Sequence, residues 1–353
     1  MNNDPVPADE RGHSRRRFLC GGMRGLGWLG FGGALGWISG SARAGKAAAE
    51  PGNRSLGPEF SYDLRGLGKT DPKLVQYQES GRYASGFKEL RCIAVGPGGQ
   101  VYLAGDRAIK VCTEPGSVLH EIALEEAPRC LAVGGDGALY VGMKDHVQVH
   151  RSPDVPGAKW ETAGENAVLT SVAVGERDVF VADAGNRQVL HCDLGGKLLG
   201  RIGKKDPARN IPGFIVPSPY FDLAIGAEGL LWVANPGQHR LEAYTFDGDF
   251  EISWGEPSNA IAGFCGCCNP AHFAMLPDSR FVTSEKGLPR VKIYSRDGKF
   301  EGVVAGPEQF PKLIGNPRRA PVAIDVTVDS RGRVLLADPI ENAVRIFTRL
   351  TES

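Results

Sequence analysis

An all-β chain, a six-bladed β-propeller of four-stranded blades, is predicted by three observations. One short phrase, an apolar-small-apolar step running into a turn, returns six times between Lys88 and Leu350. Its returns lie 38, 41, 51, 50 and 53 residues apart, close to the length of one four-stranded blade. The 48 glycines and 24 prolines among 353 residues favour many tight turns over long helices.

In chain order, residues 1–44 read as an address rather than part of the fold. Ser14-Arg15-Arg16-Arg17-Phe18-Leu19 resembles the twin-arginine export signal, a Gly-rich apolar stretch runs from Gly25 to Ser39, and Ala42-Arg43-Ala44 has the form of a cleavage site. That stretch is short of the ~20 apolar residues a spanning helix needs. The resemblance implies a periplasmic or otherwise extracytoplasmic protein starting near Gly45, with no membrane span after cleavage. It also implies a route that carries folded proteins, often with a cofactor inserted. Residues 45–72 read as a linker, with a strand candidate from Phe60 to Leu64. Residues 73–350 are the predicted propeller, in which Val75 to Tyr83 supplies the fourth strand of the last blade and removes an exposed edge.

The six blades open at Arg91-Cys92-Ile93-Ala94-Val95, Arg129-Cys130-Leu131-Ala132-Val133, Thr170-Ser171-Val172-Ala173-Val174, Phe221-Asp222-Leu223-Ala224-Ile225, Ala271-His272-Phe273-Ala274-Met275 and Ile324-Asp325-Val326-Thr327-Val328. A Gly- or Asp-containing turn follows each, then a second strand such as Leu139-Tyr140-Val141 or Leu231-Trp232-Val233. Gly195-Gly196, Asp247-Gly248 and Asp297-Gly298 stand where a third strand turns into a fourth, a place that demands positive φ. Val179-Phe180-Val181-Ala182-Asp183-Ala184-Gly185-Asn186-Arg187-Gln188-Val189 resembles the repeat of the NHL six-bladed β-propellers. The second repeat departs, carrying Gly142-Met143-Lys144 where the acid falls. That family includes enzymes, binding platforms and scaffolds, so the resemblance implies fold rather than activity.

The residue opening each phrase forms a column: Cys92, Cys130, Ser171, Asp222, His272, Asp325. In a radial fold one repeat position becomes one ring about the axis, so the column is a candidate ligand set at one channel mouth. Thiolates with an imidazole suit zinc, copper or iron, whereas carboxylates alone suit calcium or magnesium. Cys265, Cys267 and Cys268, in the loop entering the fifth blade just before His272, are expected to overhang the same mouth and join the metal or redox site. Disulfides compete: an oxidising compartment allows Cys92 with Cys130, or Cys265 with Cys268. Seven cysteines follow residue 44, so they cannot all pair within one chain. Cys112 and Cys192 read as packed thiols of outer strands.

The charge balance does not favour a nucleic-acid surface. The chain carries 41 basic and 41 acidic residues; six arginines and three acids in residues 1–44 leave 35 against 38 beyond them. Asp183, Asn235, Glu285 and Asp338 end second strands and are expected to bond amides of the following turn. Arg91 and Arg129 are placed to lower the pKa of the neighbouring thiols, or to draw an anion to the mouth. The long connections 204–217, 255–270 and 307–319 fall on one face, where Pro212, Phe214, Pro217, Pro219, Tyr220, Phe310 and Pro311 could form an apolar rim. No phosphate-binding loop, nucleophile elbow or telling pair of carboxylates is present. The expected function is an exported propeller with a transition-metal or redox-thiol site, for electron transfer or small-ligand chemistry. The alternatives are a scaffold binding a protein or small molecule on its loop face, and a metal-dependent lyase or lactonase.

Overall fold

Short, largely buried runs cut by glycine-containing turns give 24 strands among the described residues, arranged as six four-stranded antiparallel sheets. The structure, a computed structural model, describes residues 67–113, 116–313 and 322–351. The address at 1–44, residues 45–66 of the linker and the strand candidate at 60–64 lie outside these.

The first blade holds β2 (Leu90–Val95), β3 (Val101–Gly105), β4 (Ala108–Thr113) and β5 (Ser117–Ala123). The second holds β6 (Cys130–Val133), β7 (Leu139–Gly142), β8 (Val147–His150) and β9 (Ala158–Lys159), and the third β10 (Leu169–Val174), β11 (Asp178–Asp183), β12 (Gln188–Asp193) and β13 (Leu198–Ile202). The fourth is β14 (Leu223–Ile225), β15 (Leu231–Asn235), β16 (Arg240–Tyr244) and β17 (Phe250–Trp254); the fifth is β18 (His272–Met275), β19 (Phe281–Glu285), β20 (Arg290–Tyr294) and β21 (Phe300–Ala305). The sixth joins both ends of the chain: β22 (Asp325–Val328), β23 (Val334–Asp338) and β24 (Ala343–Arg349) are followed outward by β1 (Tyr77–Ala84), which pairs antiparallel with β24 from Tyr77 opposite Arg349 to Ala84 opposite Ala343.

A glycine is required at the third hairpins: Gly196, Gly248 and Gly298 sit at φ 91°, 85° and 78°, which disfavours a side chain. The only helices among the described residues are short 3-10 turns such as Pro72–Leu74 and Pro207–Arg209, and none is long and apolar enough to cross a membrane.

Neighbouring blades face each other across six hydrophobic clusters, one at each interface. Cys92 packs with Ile109, Leu131 and Val141 between the first and second blades, while Cys130 packs with Tyr140, Val172 and Val181 between the second and third. Phe214 and Phe310, expected on the rim, are interior. Phe214 meets Phe221 and Tyr244 with ring centroids 4.9 and 5.5 Å away, and Phe310 is covered by the Arg345 guanidinium at 4.5 Å. Their large apolar area makes burial the cheaper placement even within a connecting loop. The inner strands β2, β6, β10, β14, β18 and β22 enclose a central channel of about 420 Å³.

Candidate functional site

The six column residues do form one ring on the channel wall. Four of them lace adjacent blades together. Asp325 accepts from Ile93 N at 2.9 Å, closing the sixth blade on the first, and Cys92 Sγ–H donates to Arg129 O at 3.0 Å, joining the first to the second. Ser171 Oγ accepts from Leu223 N at 3.2 Å, and Asp222 Oδ2 accepts from Phe273 N at 2.9 Å. Each bond runs from a column side chain to the backbone opening the next blade. Ser171→Ala is therefore expected to cost about 1 kcal/mol, read by urea unfolding. The cost stays small because Leu223 N also donates to Asp222 Oδ1 at 3.0 Å.

His272 does something different. Its Nδ1 stands 3.5 Å from Asp222 Oδ2 and 3.6 Å from Asp325 Oδ1, so an imidazole on the fifth blade lies between carboxylates of the fourth and sixth. The side chains of His272 and Asp325 remain 19% and 18% exposed, enough for a ligand in the channel to meet them. Burial alone depresses the imidazole pKa, but the bond to Asp222 and the charges of Asp325 and Asp222 outweigh it and leave His272 raised. Burial is also the chief influence on Asp325, pushing its carboxyl up to about 6 against the pull of His272. A carboxyl raised to about 6 and an imidazole raised above its ordinary value thus stand on the same wall, an arrangement general acid–base chemistry can use.

The two ring thiols belong to another environment. Cys92 is 3% and Cys130 6% exposed, and burial, with the nearby carboxylates, raises both thiols well above the ordinary range. Arg91 and Arg129 lower them only slightly; the Arg91 guanidinium is engaged by Glu89 at 2.7 Å. Gly142, where the second repeat departs from the others, is accounted for here: a Cβ at that position would clash with Cys130 Sγ.

A resident transition metal fits this donor set poorly. All four carboxylate oxygens of Asp222 and Asp325 already accept backbone N–H groups, at 2.9 to 3.0 Å. Among the described residues, no three His, Cys, Asp or Glu side chains are gathered as a metal site requires. The thiols of Cys265, Cys267 and Cys268 are free rather than disulfide-bonded, as are Cys92, Cys112, Cys130 and Cys192.

Of the loop cysteines, none lines the channel, and Cys268 is linked to the cluster through residues that the repeat pattern did not mark. The Tyr220 ring meets the His272 ring edge-on at 5.8 Å, and Lys286 Nζ lies 5.2 Å from the Tyr220 centroid. Lys286 is also the cation that eases the burial-raised Cys268 thiol. Tyr220 was visible as the aromatic just before the fourth phrase, and Lys286 as the cation following Glu285 at the end of β19.

Beneath the loop lies a buried charge network. Glu285 takes Arg290 Nε and Nη2 at 2.9 Å each and Lys292 Nζ at 2.9 Å, and accepts from Cys265 N at 2.8 Å. Lys292 Nζ donates in turn to Ile261 O at 3.0 Å and Gly263 O at 2.7 Å. The second-strand polar residues thus do two jobs. Asp183 and Asp338 bond amides of the following turn, Asn186 N at 3.2 Å and Ile340 N at 3.0 Å, while Asp183, Asn235 and Glu285 brace the segment entering their own blade, through Val168 N at 3.0 Å, Ile215 N at 2.9 Å and Cys265 N.

No family model and no curated protein matches the chain. Solved structures do. A streptogramin B lyase aligns with TM-score 0.55 and 10% identity over 78% of this chain and 98% of its own. A catalytically inactive histidine-to-alanine variant of virginiamycin B lyase from Staphylococcus aureus, with quinupristin, aligns with TM-score 0.52 and 12% identity over 74% of this chain and 80% of its own. A Bacteroides thetaiotaomicron protein of unknown function gives 0.52 and 14% over 77% and 75%. At these identities the likeness is one of fold.

Proposed function

We propose that this chain is a lyase-type enzyme acting on a small ligand at the channel mouth, with His272 as the group that carries the proton. The observation behind this reading is the placement of the His272 imidazole between Asp222 and Asp325, partly open to a channel of about 420 Å³. A lyase breaks a bond by elimination: a base takes a proton from carbon, its electron pair becomes a double bond, and the leaving group departs with its own pair. His272 is the base; Asp222 and Asp325 orient its ring and stabilise the imidazolium it becomes. Two structural neighbours are streptogramin-type lyases, and one of these is catalytically inactive with alanine in place of a histidine. Export and an extracytoplasmic site of action complete the proposal and rest on the resemblance of Ser14–Leu19 to a twin-arginine signal.

The test uses quinupristin and a panel of simple lactones and β-substituted esters, with wild-type protein and His272→Ala, following the absorbance of the new double bond and the product mass. Turnover by the wild type and its loss in the variant are expected. Wild type and His272→Ala turning over the panel at equal rates would overturn the role of His272, and no turnover by either would leave a non-catalytic scaffold that uses the loop face for a partner.

A further inference from the structure

The loop entering the fifth blade presents two adjacent thiols whose sulfurs stand 3.4 Å apart, with the Cys268 Sγ–H donating to Cys267 Sγ. They differ in access: Cys267 is exposed and Cys268 is buried. The third loop cysteine is turned away, its Sγ–H donating to Asn259 Oδ1 at 3.2 Å. The backbone carrying the pair is fixed on both sides. Asn269 exchanges hydrogen bonds with Lys286, Nδ2 to Lys286 O at 3.0 Å and Lys286 N to Oδ1 at 2.9 Å, and Cys265 N is held by Glu285.

An exposed thiol in contact with a buried partner is the arrangement of an attacking cysteine with its resolving cysteine. From this geometry we infer that Cys267 and Cys268 are a redox-modification site, which a peroxide closes to a disulfide between adjacent residues and a dithiol reopens. The Cys267 thiolate attacks one peroxide oxygen, the O–O bond breaks, and the sulfur is left as a sulfenic acid while the other oxygen leaves as hydroxide and is protonated to water. Cys268, giving up its proton, attacks the sulfenic sulfur; the S–S bond forms and the sulfenic oxygen departs as a second water. Two thiols and one hydrogen peroxide thus become one disulfide and two waters. Reopening by thiol–disulfide exchange needs only a dithiol such as dithiothreitol. Lys286 and Ser218 lie against Cys268 and ease its ionisation against burial. The inference is independent of the proton chemistry proposed for His272, because its readout is covalent mass rather than turnover.

The test treats the native full chain with hydrogen peroxide, blocks remaining thiols after unfolding, and reads the peptide carrying Cys265, Cys267 and Cys268 by mass spectrometry. Loss of two hydrogen atoms, reversed by dithiothreitol, is expected in the wild type and in Cys265→Ser. It is expected to vanish in Cys267→Ser and in Cys268→Ser, with a sulfenic adduct trapped by dimedone on Cys267 in the latter. Loss of two hydrogens that disappears in Cys265→Ser means a different pairing and overturns the inference, as does a wild-type peptide that only accumulates irreversible oxygen.

Discussion

Glu285→Ala is expected to lower stability by about 3–5 kcal/mol, the penalty for removing one member of a buried ionic cluster. For a domain of this size that is a fall in Tm on the order of 10 °C. The reason is what remains. The side chains of Glu285, Arg290 and Lys292 are 0%, 3% and 0% exposed, so deleting the carboxylate leaves two cations facing each other away from water. Cys265 N–H also loses its acceptor. Burial already drives the Lys292 pKa down to about 8 despite Glu285, and without that carboxylate the amine is expected to shed its proton. Lys292→Met is the milder change, since Glu285 keeps Arg290 on both oxygens and Met fills the space against Phe264 and Tyr294, 4.6 and 5.2 Å from the ammonium. Thermal unfolding followed by circular dichroism separates the two. A Glu285→Ala protein melting within about 2 °C of wild type would show that the cluster does not brace the fold. Amide exchange is expected to rise first in 255–270, because Cys265 N loses its acceptor and the Lys292 that holds Ile261 O and Gly263 O loses its counter-charge.

The propeller was legible because its information is periodic: the same apolar phrase and the same turn glycines recur, and one repeat position maps to one ring. The ring was found by that logic, and so was the nearness of His272 to Asp222 and Asp325. What the column could not convey was the direction of each side chain. A thiol and a carboxylate at equivalent positions meet different neighbours. Cys92 and Cys130 find apolar partners between blades, where a small polarisable group packs well, while Asp222 and Asp325 are held toward the channel by backbone amides. Asp183, Asn235 and Glu285 share a repeat position and each holds the segment entering its own blade, through Val168 N, Ile215 N and Cys265 N, but loop length there is the one feature that no repeat dictates. Lys286 and Tyr220 come together through those same loops.

The pH dependence of the Asp222–His272–Asp325 cluster gives the second large effect. If His272 is the base, its working form is the neutral ring. The activity of the wild type is then expected to rise with pH through a value above the ordinary 6.5, because the two carboxylates favour the imidazolium. Asp325→Asn removes one of those charges while keeping an oxygen for Ile93 N or Val326 N, so the rise moves to lower pH. His272→Ala abolishes it, with a loss of about 10²–10⁴ in rate. Folding stability reports the same protons. Asp325 ionises at about 6 in the fold against 3.8 in the open chain, so the fold prefers the acid; stability is full below about pH 4 and falls as pH rises to about 6, by about 3 kcal/mol. His272 adds stability that is complete below pH 6.5 and is lost as pH rises through its higher folded value. Both contributions slope the same way, so urea midpoints are expected to decline between pH 4 and 8, and Asp325→Asn flattens most of that decline. An Asp325→Asn variant that keeps the wild-type slope in stability and the wild-type acid limb in rate would show that Asp325 and His272 are not coupled, and His272 would lose its place at the centre of the site.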